Sequence, residues 1–248
     1  MLNALKRWIS GSPSGPDWAE VSAWAQKQGL GFKRVKDEPG FVLDGRFGQR
    51  GWRLEWGAPQ RAYIATHELR LRIELQLPQA LQMLVMSRPL METLERETFE
   101  RYTESNQTLI DVSTPEEMRW LAMFPKAPLD LPKSVRGQFG AVSGEAAEAV
   151  AWVDAAVGQQ LAAASLSLLR DSPPFVLMSL RGRLYMRVQL DEPGAVAVAH
   201  AVSLFEAATE SALRVAAGVH ETAGDFPSTS STAWATELAP EDPKDHPH

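Results

Sequence analysis

The clearest pattern along the chain is a strict alternation of apolar and polar side chains over residues 69–77, which read L-R-L-R-I-E-L-Q-L. Successive side chains of an extended strand point to opposite faces, so the five apolar residues share one face and the polar residues share the other. A helix has a period of 3.6 residues and would scatter the same apolar residues around its axis. The pattern therefore predicts a β-strand with one dry face and one wet face that carries Arg70 and Arg72.

Further segments show strand signals, and turn residues separate them. A meander is predicted over residues 32–36, 41–47, 51–57, 69–77 and 81–87. A hairpin is predicted from residues 175–180 and 183–190 around an Arg181-Gly182 turn, and residues 107–112 are expected to form a short strand.

Helical periodicity and capping residues mark the remaining elements. Helices are predicted over residues 17–28 with Asp17 as the N-cap, 89–104, 113–124, 145–170 and 194–219. With the strands, this order predicts an α+β fold: a mostly antiparallel sheet, made of a meander plus a C-terminal hairpin, packed by segregated helices on one face.

The composition divides the chain into five segments. Residues 1–16 form a short amphipathic segment and a flexible joint, and residues 17–125 form the helix-plus-meander region. Residues 126–144 are a connection with Pro and Gly and are the best candidate boundary. Residues 145–219 form a helix–hairpin–helix region of the same domain, and residues 220–248 form an acidic tail that is expected to be disordered.

The charge of the chain gives no reason to expect a nucleic acid partner. Six acidic residues and one lysine lie from Glu221 onward, so a net charge of −6 overall and −5 in the tail leaves −1 for the body. Tryptophans lie on predicted apolar faces, where they fill a core rather than stack on bases. These residues are Trp18, Trp24, Trp52, Trp56, Trp120 and Trp152.

Absent residue types narrow the possible chemistry and location. The 248 residues include no cysteine, which excludes disulfides, thiolate catalysis and cysteine-ligated metal, and which fits a reducing compartment. No apolar run approaches the ~20 residues of a membrane-spanning helix. The first ten residues lack the long apolar core of a secretory signal, so we expect a cytoplasmic protein.

No motif for catalysis or for cofactor binding emerges. The glycines Gly45, Gly48 and Gly51 lie between two strands, which is typical of a hairpin turn rather than of a phosphate-binding loop. His67 and Glu68 begin like a zinc-protease helix, but the second histidine is missing. We therefore expect no cofactor, no metal and, on balance, no enzymatic activity.

Acidic pairs on the predicted helices offer no better starting point. Glu95 with Glu97, and Glu116 with Glu117, are expected on solvated helix faces. A carboxylate with a shifted pKa would need burial or a close partner.

The arginines of the alternating strands form the strongest candidate site. If the two ribbons share one sheet, its wet face carries a group of guanidiniums that suits carboxylates, phosphates or the acidic surface of a partner. The alternative is that Glu55 and Glu74 on the same face pair with these arginines, or that helices cover it. The candidate binding residues are Arg53, Arg70, Arg72, Arg183, Tyr185 and Arg187.

Three functional hypotheses follow. In the first, the chain is a non-catalytic, soluble cytosolic binding or adaptor protein that engages another protein through the arginine-bearing sheet face. The second is an enzyme whose site is assembled from scattered residues such as His67, Glu68 and arginines at the sheet edge. The third is a peripheral membrane protein at the inner face of the membrane, attached through a short amphipathic segment that alternatively docks on the body or on a partner. Its candidate contact residues are Leu2, Leu5, Lys6, Arg7, Trp8 and Ile9.

Overall fold

A computed structural model of the chain describes residues 18–36, 38–104 and 114–224, where it has an α+β fold with six helices and nine strands. The helices are α1 (Ala19–Lys27), α2 (Arg88–Glu104), α3 (Glu116–Met123), α4 (Ala146–Trp152), α5 (Ala155–Ala164) and α6 (Ala195–Gly224). The strands are β1 (Gly31–Arg34), β2 (Phe41–Phe47), β3 (Arg50–Gly57), β4 (Glu68–Glu74), β5 (Met83–Ser87), β6 (Lys126–Ala127), β7 (Phe139–Ser143), β8 (Phe175–Leu180) and β9 (Arg183–Gln189).

All nine strands belong to one antiparallel sheet with the order β1-β2-β3-β4-β9-β8-β5-β7-β6. The first four strands form the predicted meander. Its predicted continuation into β5 is wrong, because the β8–β9 hairpin lies between β4 and β5. The two ribbons that the sequence predicts therefore share one sheet.

Strand β4 ends three residues earlier than the alternation predicts. Gln76 has a positive φ of 57°, which turns the chain away from the extended conformation. The backbone N–H groups of Leu75 and Leu77 donate instead to the carbonyl of Gly182 in the β8–β9 turn, at 3.0 and 3.3 Å. Both leucines are nevertheless buried, so the alternation correctly indicates their burial but not the strand boundary.

One face of the sheet is covered by α1, α4, α5 and α6, and this layer holds the main hydrophobic core. Core residues of the sheet, such as Leu54, Leu71 and Met186, pack with Trp152 of α4 and Phe205 of α6, all at most 1% exposed. The predicted helices on one face are therefore present. In addition, α2 and α3 form a smaller layer on the opposite face, over β5, β7 and β8.

The single helix predicted over residues 145–170 is wrong, because the chain breaks between α4 and α5. Asp154 is the N-cap of α5 and accepts a hydrogen bond from the Val157 N–H at 3.0 Å. The carbonyl of Trp152 accepts a hydrogen bond from the Ser211 hydroxyl of α6 at 2.7 Å. These side chains satisfy the backbone groups that a helix end leaves without partners, so the break is stable.

Two other predicted segments need correction. The connection predicted over residues 126–144 contains strands β6 and β7, and β7 pairs along its whole length with β5. Helix α6 continues to Gly224, so the predicted tail begins inside a helix. The segment 1–16 and Asp17, the strand predicted over residues 107–112, and residues 225–248 lie outside the described residues.

Candidate binding site on the open sheet face

The six candidate binding residues all lie on one face of the sheet, on the adjacent strands β3, β4 and β9. Arg53 pairs with Arg72, and Arg72 pairs in turn with Tyr185 on the next strand. On one side of the Arg72–Tyr185 pair, Arg70 pairs with Arg187. On the other side, Glu74 pairs with Arg183. They alternate with the core residues of the same strands, so they occupy the face opposite the main core. We call this surface of β3, β4 and β9 the arginine face.

Beside the smaller helical layer, Arg53, Arg72 and Arg183 of the arginine face are exposed, whereas Arg70 and Arg187 are mostly covered. Helices α2 and α3 pack on an apolar cluster that includes Leu84, Met86 and Val142, from β5 and β7. Tyr185 is partly buried against the border of this cluster. The face therefore changes from apolar under the helices to polar on β3, β4 and β9.

Carboxylates of the same face pair with most of these arginines. Arg53 Nε lies 2.8 Å from Asp44 Oδ1, and this hydrogen bond raises the pKa of Arg53. Arg70 Nη2 lies 3.1 Å from Glu55 Oε2, and Arg183 pairs with Glu74. The pairing with Glu55 and Glu74 that the sequence offers as an alternative is thus present for Arg70 and Arg183, and the pair of Arg53 with Asp44 adds to it.

Arg72 is the least engaged of the five arginines. Its nearest carboxylate oxygen, Glu55 Oε1, lies 3.9 Å from Nη2, and the side chain is 60% exposed. An exposed pair at this distance contributes little to stability. The guanidinium of Arg72 is therefore the one with most of its hydrogen-bonding capacity available to a ligand.

A fully buried carboxylate, Glu68, holds two other arginines in place. Glu68 accepts hydrogen bonds from Arg187 Nη1 and, at 2.6 Å, from the Gln60 backbone N–H, and Arg70 Nη1 lies 3.5 Å away. Arg70 Nη1 also donates to the Ala58 carbonyl at 2.9 Å. The side chains of Arg70 and Arg187 are only 19% and 13% exposed, so their positions are fixed before any ligand arrives.

These side chains enclose a small cavity of about 90 Å³, which we call the arginine cavity. That space is well above the ~10–15 Å³ needed to hold one water molecule, so it has room for one carboxylate or phosphate group. Among the described residues its lining includes four guanidiniums and one carboxylate, Glu55, while Asp44 and Glu68 pair with three of these arginines from outside the lining. Its polar lining consists of Arg53, Glu55, Gln60, Arg70, Arg72, Tyr185 and Arg187.

A wider, open depression of about 450 Å³ adjoins the arginine cavity. Arg53, Arg72 and Arg183 border it, and Gly51 contributes no side chain to fill it. The depression thus extends the arginine face toward the β2–β3 turn and gives room for residues on either side of a bound anionic group.

A second buried carboxylate lies beside this site, and the sequence does not reveal it. Glu117 of α3, expected on a solvated face, is fully buried and accepts from Arg61 Nε at 3.2 Å and from the Tyr63 hydroxyl at 3.0 Å. Burial and the charge of Glu117 raise the pKa of Tyr63, which keeps this hydroxyl protonated as a donor. The expectation of a solvated Glu117 is therefore wrong. Its partners come from a loop that is distant in sequence, so the residues around Glu117 give no signal of its burial.

The residues proposed for a scattered catalytic site point away from each other. His67 stacks on Trp56, with ring centroids 4.7 Å apart, on the side of the main core. Glu68 occupies the opposite face in its pairs with Arg70 and Arg187. Within the described residues, no group of three or more His, Cys, Asp or Glu side chains is arranged to hold a metal ion.

The membrane hypothesis rests on residues outside the described part of the chain. None of the described helices is long and apolar enough to cross a bilayer. Contact with a membrane surface stays a prediction for Leu2, Leu5, Lys6, Arg7, Trp8 and Ile9.

Comparisons with known proteins give one weak structural similarity. No family model and no curated protein sequence matches the chain. The crystal structure of the mycobacterial trehalose monomycolate transport factor A, TtfA, is similar with a TM-score of 0.44 and 8% sequence identity. The match covers 79% of this chain and 94% of that one. A similarity this weak indicates nothing about what the arginine face binds.

Proposed function

We propose that the protein is a non-catalytic, cytosolic binding or adaptor module that captures an acidic segment of a partner protein on the arginine face. The observation that supports this function is the convergence of four guanidiniums from three strands on one cavity that has a single carboxylate in its lining. Guanidinium groups bind carboxylates through two parallel hydrogen bonds, which gives both affinity and orientation.

The buried ion pairs prepare the site for such a ligand. Because Glu68 fixes Arg187 and Arg70, a bound carboxylate restricts little additional side-chain motion there. Arg72 supplies the exposed guanidinium, and Tyr185 lies next to it across the strands. The open depression beside the cavity favours a side chain that belongs to an extended segment over an isolated small anion.

The test uses an acetylated, amidated pentaglutamate peptide as the probe, with binding measured by isothermal titration calorimetry. Arg72→Glu is expected to weaken binding by about tenfold or more, since it removes the available cation and adds a repulsive carboxylate. Arg72 is the position of choice because Arg70→Glu would place a carboxylate beside buried Glu68 and disturb folding. Pull-down with the wild-type chain then identifies the natural partner.

The matched control is Arg136→Glu, which makes the same charge change at an exposed loop position. This variant is expected to bind the peptide as the wild type does, and both variants are expected to keep the wild-type melting temperature within a few degrees. Equal affinity of the wild type and Arg72→Glu, or equal loss in the two variants, would overturn the proposed function.

A further inference from the structure

A second groove, of opposite chemical character, lies at the end of the sheet where β2 and β4 begin and β3 and β9 end. Its volume is about 540 Å³, within the 300–1,000 Å³ that is typical of ligand pockets. We call it the acidic groove. Aromatic rings and carboxylates dominate its lining: Trp18, Trp56, His67, Glu20, Asp191 and Glu192.

The aromatic rings are held rigidly by one another and by the backbone. Trp56 stacks on His67 with an interplanar angle of 15°, and Trp18 meets Trp56 edge-on at 5.6 Å between centroids. The Trp56 indole N–H donates to the Leu190 carbonyl at 2.7 Å. Trp18 and Trp56 are only 7% and 4% exposed, so a ligand in the groove meets the small exposed part of rings that are already in position.

The charges of the groove all have the same sign. Glu20 and Glu192 are exposed, and neither side chain forms an ion pair or hydrogen bond with another described residue. Asp191 accepts a hydrogen bond from the Thr66 hydroxyl. Among the described residues the lining includes three carboxylates and no lysine or arginine, and the guanidinium of Arg34 borders it over the Trp18 ring.

One contact in the structure shows the kind of group that these rings attract. The guanidinium carbon of Arg34 lies 5.7 Å from the centroid of Trp18, within the distance of a cation–π interaction. An aromatic surface with carboxylates beside it recognises ammonium and guanidinium groups through ring electrostatics and ion pairing together.

We propose that the acidic groove binds a lysine or arginine side chain that a peptide segment of a partner protein carries. The charge of the three carboxylates selects a cation, and the apolar part of the lining, which includes Pro39 and Pro193, suits the methylene stem of a long basic side chain. The volume also accommodates an apolar neighbour of that residue. This site is distinct from the arginine face, which selects the opposite charge.

The experiment uses acetyl-Leu-Lys-Leu-amide as the probe and follows the indole N–H resonances of Trp18 and Trp56 by NMR in the full chain. Titration is expected to shift both resonances with a dissociation constant on the order of 1 mM. The matched peptide acetyl-Leu-Glu-Leu-amide is expected to leave them unchanged. The Arg72→Glu variant is expected to bind the lysine probe normally, so failure of this proposal and failure of the proposed function are distinguishable.

Variants of the protein separate charge recognition from simple packing. Glu20→Gln combined with Glu192→Gln is expected to weaken binding of the lysine peptide by about tenfold, since two ion pairs are lost. The matched control is Glu210→Gln, which neutralises an exposed carboxylate of α6 that does not line the groove. This variant is expected to bind as the wild type does.

Three results would overturn this assignment. One is the absence of shifts at Trp18 and Trp56 with the lysine peptide, and another is an equal response to the glutamate peptide. The third is tighter binding of the probe after charge reversal of Lys6 and Arg7 in the full chain. That result would identify the chain's own first residues, rather than a partner, as the occupant.

Discussion

The carboxylate of Glu68 and the guanidinium of Arg187 form an ion pair at the covered end of the arginine face, and the carboxylate has no exposed surface. Removing such a charge from water carries a large desolvation penalty, which the pair and its neighbouring hydrogen bonds offset. The same contact fixes Arg187 at the wall of the arginine cavity. Stability and the proposed ligand recognition therefore depend on the same buried carboxylate.

Glu68→Gln is expected to lower the free energy of unfolding by about 3 kcal/mol, because it leaves the mostly buried Arg187 without its counter-charge, whereas Arg70 keeps Glu55. Urea denaturation at neutral pH measures this change. The control is Glu74→Gln, whose pair with Arg183 is about half exposed and contributes at most about 1 kcal/mol. Similar losses in the two variants would contradict the structural role of Glu68.

Glu117 and Arg61 are expected to be energetically coupled. Arg61→Met is expected to destabilise the protein by about 3 kcal/mol, because Glu117 stays buried with only the Tyr63 hydroxyl as its partner. Adding Glu117→Gln to Arg61→Met is expected to recover part of the loss, since a neutral amide needs no counter-charge. A double-mutant cycle from denaturation curves should give a coupling of about 1–3 kcal/mol. Strict additivity would show that the pair is not coupled.

Two glycines of the β2–β3 ribbon are expected to respond oppositely to alanine. A Cβ at Gly45 would lie 2.1 Å from the ring of buried Trp52, so Gly45→Ala is expected to cost about 2 kcal/mol. A Cβ at Gly51 meets only the Gly45 carbonyl oxygen at 3.9 Å, so Gly51→Ala is expected to change stability by less than about 0.5 kcal/mol. Thermal melts of the two variants test this contrast, and equal melting temperatures would contradict the placement of Trp52 over Gly45.

Asp154 is expected to stabilise the protein in a pH-dependent way. Burial acts to raise its pKa, but the Val157 N–H, Arg214 and Ser211 together outweigh burial, and the net pKa is lowered. A lowered native-state pKa gives stability that is present above the ordinary aspartate pKa, about 4, and that is lost as the pH falls through the native value.

Asp154→Ala is therefore expected to cost about 1–2 kcal/mol at pH 7, and the difference from the wild type should shrink below about pH 4. Asp154→Asn is the control, because its amide oxygen still accepts from the Val157 N–H at the start of α5. Denaturation curves at several pH values measure both variants. A loss in Asp154→Ala that is the same at low and neutral pH would contradict the charge-dependent contribution.

Local patterns predicted the strands that have one dry and one wet face. Strand β2 has the predicted bounds, Phe41–Phe47, and the Arg181-Gly182 turn is formed by two residues with positive φ, 51° and 79°. The side chains of the arginine face also lie on the wet side that the alternation predicts. These features depend on neighbouring residues, so a period of two is enough to find them.

The missed features depend on partners far along the chain. Strand β7 is buried on both faces and therefore shows no alternation that would identify it. Its Gly140 leaves room for Met91 of α2, whose sulfur would lie 2.6 Å from a Cβ there. The burial of Glu117 likewise depends on Arg61 and Tyr63 from the β3–β4 loop. Such contacts leave no pattern in the residues that precede and follow these positions in the sequence.

The insertion of the β8–β9 hairpin between β4 and β5 sets the order in which the protein can form during synthesis. Arg183 on β9 and its partner Glu74 on β4 are 109 positions apart, so the two halves of the sheet stay unjoined until almost all of the body has left the ribosome. Until then, the nascent chain presents two unpaired strand edges. Such long-range pairing slows folding and prolongs the time in which these edges are open to aggregation, compared with an equally large helical bundle.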